Sequence, residues 1–262
     1  MNLSIVTWNV NSIKSRLHVL LPWLKETAPD IVLLQETKTV DENFPRMEIE
    51  ELGYNLALSG QKTYNGVAIL SKFPLDDVRI GLPGEDSDME ARYIEAVASL
   101  AGSAVRVASA YVPNGQSPDS DKFQYKLRFL RRLKAHALTL LEHNEVFTIG
   151  GDYNVAPFPI DVYDSQALDG TVCYHPRERD ALRELLHLGL YDAFRLQHPL
   201  RQAYSWWDYR AAGYESGKGL RIDHLLLSPQ ATDRLRGCEI EENLRALEKP
   251  SDHAPVRCIL EM

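Results

Sequence analysis

Cysteine is scarce: Cys173, Cys238 and Cys258 are the three in 262 residues, odd in number and widely spaced. That excludes a disulfide framework and the paired spacing of a zinc site, and it fits a reducing compartment. Each thiol reads as buried or idle. No run of about 18 apolar residues occurs, so no membrane-spanning helix and no membrane partner are expected. The first residues pass straight into Leu3-Ser4-Ile5-Val6 without a basic segment, an apolar signal core or a small-residue cleavage site, which points to the cytoplasm. Positive charge is also lacking overall. A formal net charge of −8 argues against nucleic-acid binding through a uniformly basic surface.

Present instead is ordinary globular material, 44% hydrophobic and 25% charged, with no repeat, low-complexity tract or linker-like stretch. The expectation is a single domain over residues 1–262. Cations concentrate in Asp121–His136, where Lys122, Lys126, Arg128, Arg131, Arg132 and Lys134 face one acid, so a local basic face is expected on an acidic chain. Apolar, β-branched runs at Ile5–Trp8, Ile31–Leu34, Val67–Leu70, Ile94–Leu100, Val105–Tyr111, Val146–Ile149, Leu225–Leu227 and Val256–Leu260 read as strands. The Ala101-Gly102-Ser103 turn joins two of them as a hairpin. Helical spacing covers Ser15–Lys25, stopped by Pro29, and Arg179–Leu188, closed by Gly189. It also covers Lys122–His143, with Leu127, Leu130, Leu133, Leu138 and Leu141 inward. Leu82–Arg92, Pro113–Asp121 and Ala156–Glu178 read as loops; the last, of about 23 residues, is long enough to suggest a binding role. The pattern predicts a layered α/β sandwich.

Polar residues cluster where strands end: Asn9, Glu36, Tyr111, then Asp152 with Asn154, while Asp252 and His253 precede the final strand. Rigid strand ends suit a site that must hold several polar groups in fixed relation. The segments Thr7-Trp8-Asn9-Val10-Asn11, Leu34-Gln35-Glu36-Thr37-Lys38, Tyr111-Val112-Pro113-Asn114, Gly151-Asp152-Tyr153-Asn154-Val155, Arg221-Ile222-Asp223 and Ser251-Asp252-His253-Ala254-Pro255 occur in order along the chain. In kind and interval they resemble the motifs of the exonuclease III and abasic-site endonuclease family.

The resemblance implies a deoxyribonuclease I-like fold, two packed mixed β-sheets flanked by helices in four layers. It also implies a magnesium-dependent DNA-repair phosphodiesterase, with manganese able to substitute and one or two ions. The expected substrate is double-stranded DNA with abasic sites or 3′ ends, and the expected state is a monomer. Glu36 is the first-choice metal ligand, because a hard cation wants carboxylate oxygen; Asn9 and Asp252 join it through the resemblance. Asp152 orients and deprotonates water, Asn154 fixes it, and His253, paired with Asp223, contacts the phosphoryl oxygens. Whether Asp152 or the Asp223–His253 pair is the base stays open. Tyr111 donates to the reacting phosphate or, if ionised, assists its protonation. Asn114 contacts phosphate, and Trp206, Leu220 and Ile222 form a pocket for a sugar lacking its base. Gln116, Arg92, Lys122 and Arg177 are weaker candidates for backbone contacts, and Trp207 and Tyr209 read as packing residues. The wider superfamily includes phosphatases acting on inositol phosphates. The Tyr111–Asn114 and Trp206–Asp223 segments favour DNA.

Overall fold

The computed structural model describes residues 1–262, the side chain of Ala211 excepted. The strands run β1 (Asn2–Asn9), β2 (Ile31–Gln35), β3 (Asn55–Ser59), β4 (Val67–Ser71), β5 (Leu75–Ile80), β6 (Tyr93–Leu100), β7 (Ser103–Tyr111) and β8 (Phe147–Asp152). Three short strands follow, β9 (Tyr191–Asp192), β10 (Trp206–Trp207) and β11 (Gly219–Leu220), and then β12 (Asp223–Leu227), β13 (Leu235–Ile240) and β14 (Val256–Glu261). The main helices are α1 (Ile13–Thr27), α2 (Arg46–Glu50), α3 (Asp121–Glu142), α4 (Pro176–Leu186), α5 (Ala193–Gln197) and α6 (Pro229–Thr232).

Two six-stranded sheets form, in the orders β13-β14-β1-β2-β4-β3 and β5-β6-β7-β8-β12-β9. Each holds one parallel pair, β1 with β2 and β7 with β8; the other pairings are antiparallel. A parallel pair needs a long crossover, which α1 supplies in the first sheet and α3 in the second. Leu3, Ile5, Leu33 and Ile69 of the first sheet pack against Val107 and Leu225 of the second. The outer face of the first sheet is covered by Leu20, Trp23 and Leu24 of α1. That of the second is covered by Phe129, Leu130 and Leu133 of α3 and by Leu182 and Leu185 of α4. Each such burial contributes about 1.5–3 kcal/mol. The expected four-layer, deoxyribonuclease I-like sandwich is what forms.

Both parallel pairs end at the same rim. Asn9 pairs in register with Gln35, immediately before Glu36, and Tyr111 pairs with Asp152. A polar staple joins the sheets beneath that rim: Gln35 Nε2 donates to Ser109 Oγ at 3.0 Å, and Ser109 Oγ donates to Leu34 O at 2.8 Å. Gly150 and Gly151 lie within β8 rather than in a turn. A Cβ at Gly151 would stand 1.9 Å from Ala110 O, and one at Gly150 would meet Leu33 and Leu225 within 2.7 Å. Bare backbone is what allows the close approach.

The structure revises several expectations. Strands β3, β5 and β13 were not anticipated, since Leu75–Ile80 is polar and exposed on an edge. Leu138 is 51% exposed rather than inward, because the buried stripe of α3 runs through Phe123, Lys126, Leu130, Leu133, Ala137 and Leu140. The basic face is also smaller than expected. Lys126 is fully buried, Arg132 is bound to Asp88, and Lys134 is bound to Glu184. Lys122, Arg128 and Arg131 are exposed. Among the described residues, no helix is long and apolar enough to cross a membrane.

Candidate active site

At the shared rim, Asn9 is buried and points its amide nitrogen between two acids, donating to Glu36 Oε1 at 2.8 Å and Asp152 Oδ2 at 2.9 Å. Its oxygen accepts from Asn11 N–H at 3.0 Å. Glu36 leaves β2 in the left-handed region, φ 51°, a conformation that costs a non-glycine residue about 1–3 kcal/mol. That turn sends its carboxylate to the rim. Asp152 is buried; Asn154 N–H donates to its Oδ1 at 2.9 Å, and Asn154 Nδ2 donates to its Oδ2 at 3.1 Å. Asn154, also left-handed at φ 52°, accepts through Oδ1 from Asn114 Nδ2 at 3.0 Å.

Opposite stands His253. Its Nδ1 lies 2.9 Å from Asp223 Oδ2, and its Nε2 lies 3.8 Å from Asp152 Oδ2. Ser205 Oγ donates to Asp223 Oδ2 at 2.6 Å and accepts from the Ile222 and Asp223 N–H groups. Sequence reading gave Ser205 no role, although it lies beside Trp206. Burial alone would lower the imidazole, but Asp223 and Asp152, the Asp223 hydrogen bond and Asp252 outweigh it and raise its pKa to about 10. Burial raises Asp152 to about 7, with Asp223 and Glu36 pushing the same way against His253 and Asn9. Tyr111 is held well above the usual phenol range by burial and by Glu36 and Asp152, which favours its neutral form.

Glu36, Asp152 and His253 offer ligand atoms that all lie within 4.8 Å of one another. Asp252 lies outside that cluster: its oxygens accept from Asn11 Nδ2 at 2.9 Å and Trp206 Nε1 at 3.0 Å. Of the expected ligands, Glu36 is in the cluster and Asn9 is hydrogen-bonded to two of its members. Lys38 places an ammonium 2.7 Å from Glu36 Oε2, so the chain itself balances part of that carboxylate's charge.

The acids open onto a cavity of about 740 Å³. Glu36, Tyr111, Asn114, Asp152, Asn154, Trp206, Leu220, Ile222, Asp252 and His253 all line it, with Gln116. Of the residues singled out from sequence, Asn9 and Asp223 stand behind this wall. Trp206 and Leu220 face each other across the β10–β11 ribbon. The long loop also contributes, placing Tyr163, Leu168, Val172 and Cys173 on the wall. Cys173 is buried, and its thiol is pushed up to about 12 by burial, so it stays protonated as expected of an idle thiol.

Two weaker candidates are less free than their sequence context suggests. Arg92 is paired with Glu90 and lies 4.8 Å from the Tyr111 ring centroid, and Arg177 bonds to Gln124. Tyr209, expected to pack, is 49% exposed and donates to Pro250 O. Trp207 is buried, as expected.

A buried ionic cluster, missed in the sequence, holds this wall from behind. Arg221 is fully buried and pairs with Asp161 at 2.7 Å and with Asp192 at 2.7 Å, while its Nη1 lies 3.0 Å from His224 Nδ1. Asp161 belongs to the long loop, so Arg221 ties that loop to the strand carrying Asp223.

The sequence matches the family model described as Endonuclease/Exonuclease/phosphatase family over residues 6–253. It is 33% identical to exodeoxyribonuclease III of Haemophilus influenzae, over 97% of this chain and 98% of that protein. An AP endonuclease from Archaeoglobus fulgidus superposes with a TM-score of 0.94 at 41% identity, covering 99% of this chain and 100% of that one. A 3′ phosphatase from Neisseria, solved bound to a product DNA hairpin, superposes with a TM-score of 0.96 at 38% identity, covering 99% and 100%. With the family match running from β1 to His253, the chain belongs to the Endonuclease/Exonuclease/phosphatase family.

Proposed function

We infer that this chain is a metal-dependent DNA-repair nuclease, a monomer of the cytoplasm. It hydrolyses the backbone of duplex DNA 5′ to abasic sites and trims 3′ ends, leaving 3′-hydroxyl and 5′-phosphate termini. The observation that carries this reading is the convergence of Glu36, Asp152 and His253 on a cavity that Trp206, Leu220 and Ile222 also line. Carboxylates and an imidazole suit phosphodiester hydrolysis, and the apolar wall suits a deoxyribose lacking its base. The relatives named above, an exodeoxyribonuclease, an AP endonuclease and a DNA-bound 3′ phosphatase, support DNA as the substrate.

The residues fit a hard divalent cation, Mg²⁺ with Mn²⁺ able to substitute: the cluster offers carboxylate oxygen from Glu36 and Asp152. Glu36 would hold the ion, with Asp252 and Asn9 beside it, Asn9 through its oxygen after a turn of its amide. When bound, the ion neutralises charge on the phosphoryl oxygens and the departing alkoxide.

Asp152, near neutrality at about 7, is matched to taking a proton from water at physiological pH. His253, whose pKa Asp223 and Asp152 raise against burial, favours the imidazolium, which suits it to stabilise phosphoryl charge. Asp223 and Ser205 hold its orientation. Tyr111 donates its hydroxyl proton as a hydrogen bond and Asn114 offers an amide hydrogen to phosphate, while Asn154, whose amide nitrogen donates to Asp152 Oδ2 and Val112 O, fixes the acid.

The test uses duplexes bearing an abasic site or a recessed 3′ end, with Mg²⁺ and with chelator, and identifies the new termini. Chelator-sensitive cleavage leaving 3′-hydroxyl and 5′-phosphate ends is expected. Inert duplexes beside a hydrolysed phosphoinositide would refute the assignment.

A further inference from the structure

The pocket wall depends on a charged side chain that touches neither cavity nor solvent. Lys126 lies on the inward stripe of α3, three residues after Phe123 and four before Leu130. Its side chain is fully buried. Nζ donates to Asn114 O at 3.0 Å, to Asn154 O at 2.7 Å, and to Glu178 Oε1. An ammonium has three hydrogens, and each finds one acceptor from a different chain segment. Glu178 in turn accepts from His175 N–H through its second oxygen at 3.0 Å. The long loop therefore ends on the same ammonium that holds the β7–α3 and β8 loops.

We propose that Lys126, a buried ammonium shared by three segments, is a positioning residue that sets Asn114 and Asn154 against Asp152. The two carbonyls it holds belong to those asparagines. Asn154 fixes both oxygens of Asp152 and accepts from Asn114. It does so from a left-handed backbone, which persists only when its surroundings over-determine it. Burial energy alone does not call for a lysine here, because a buried ion pair is often replaced by apolar side chains without loss of stability. What apolar side chains cannot do is hold two main-chain carbonyls from different loops through a common donor. Gly115 is part of the fit: it sits at φ 96°, and a Cβ there would press on Lys126 Cδ at 3.2 Å. The ammonium thus converts the seating of α3 into the spacing of Asn114 and Asn154 around Asp152.

This inference rests on the nuclease reading of the cavity. Its test compares the Lys126→Met, Glu178→Gln and Lys126→Met/Glu178→Gln variants of the full chain, measuring kcat and KM on an abasic duplex with Mg²⁺ beside thermal unfolding. Lys126→Met leaves a buried carboxylate alone and is expected to unfold earliest; the double variant, without that charge, is expected to recover most of the loss. Activity should not recover with it. Because misplacing reacting groups by about 1 Å costs on the order of 100-fold, kcat of the double variant should fall roughly 10- to 100-fold with a smaller change in KM. Glu178→Gln, which keeps the ammonium and both carbonyl bonds, should stay within about threefold of wild type on the same reasoning. Wild-type kcat in a folded double variant overturns the proposal, as does activity that follows unfolding temperature across the series. If the Met variants do not fold, Lys126→Gln/Glu178→Gln replaces them under the same criteria. An inert wild type sinks the nuclease reading; an active wild type with an equally active double variant sinks only this one.

Discussion

Replacing Asp223 with Asn probes the charge state on which the site depends. His253 is buried, and burial by itself lowers an imidazole; the carboxylates of Asp223 and Asp152, the Asp223 hydrogen bond and Asp252 raise it from 6.5 to about 10. Removing the Asp223 charge takes away the largest of the raising effects, so the variant pKa should fall to its ordinary value or below. At pH 8 a group titrating near 6.5 is only about 3% protonated, while one near 10 is almost fully so. Any rate contribution from the imidazolium should thus drop roughly 30-fold at pH 8 and recover as pH falls toward 6. The sign for stability follows from the same shift. A raised folded-state pKa contributes stability that is fully present below about 6.5 and lost as pH rises through about 10. Metal-free wild type should therefore lose stability on that limb, and Asp223→Asn should lose less. Single-turnover cleavage from pH 6 to 10 and NMR titration of His253 in chelator measure the two effects. An unchanged rate profile with an imidazole still titrating near 10 would refute the reasoning.

Other perturbations follow from the packing. Arg221→Met leaves Asp192 without its guanidinium and Asp161 with Arg195 alone, and should cost about 3–5 kcal/mol in urea denaturation; a loss under about 1 kcal/mol would deny the cluster its role. Gly151→Ala forces a Cβ onto Ala110 O at 1.9 Å and should destabilise by more than about 3 kcal/mol, whereas Gly237→Ala, with nothing within 4 Å, should be near neutral; equal effects contradict the close approach. Burial raises the Glu95 carboxyl, but hydrogen bonds from His136 and Tyr93 together with the charges of His136 and Arg106 outweigh it and lower the pKa below 4.5. Its stability contribution is present above about 4.5 and is lost as pH falls through the lower folded value. Glu95→Gln should flatten that acid limb, and an acid transition with unaltered slope goes against it.

Much of the site was legible in the sequence because its residues follow apolar runs, and those runs specify the strands. Asn9, Glu36, Tyr111 and Asp152 stand at the ends of the two parallel pairs, so locating the strands located the rim. The rest needed contacts between distant segments. Nothing local in Arg221, Asp161 and Asp192 announces that they meet, and Ser205 has meaning only once Asp223 folds back onto it. Strands β5 and β13 escaped notice because Leu75-Asp76-Asp77-Val78-Arg79-Ile80 and Leu235-Arg236-Gly237-Cys238-Glu239-Ile240 carry too many charges for a strand pattern. Lys126 is different, since the signal was available: it sits at helical spacing between Phe123 and Leu130. Counting it among the surface cations neglected its place on the apolar stripe.

The account stands most directly on Asp152. Asp152→Asn keeps the side chain's shape while removing the proton acceptor; with its oxygen toward Asn9 Nδ2 and Asn154 Nδ2 it gives up only the bond from Asn154 N–H. Single-turnover cleavage of an abasic duplex with saturating Mg²⁺, alongside DNA affinity, should show a rate loss of roughly 10²–10⁴-fold with binding within a few-fold of wild type. A variant that cleaves at the wild-type rate would contradict the assignment of that carboxylate and, with it, the chemistry built around the Glu36–Asp152–His253 cluster.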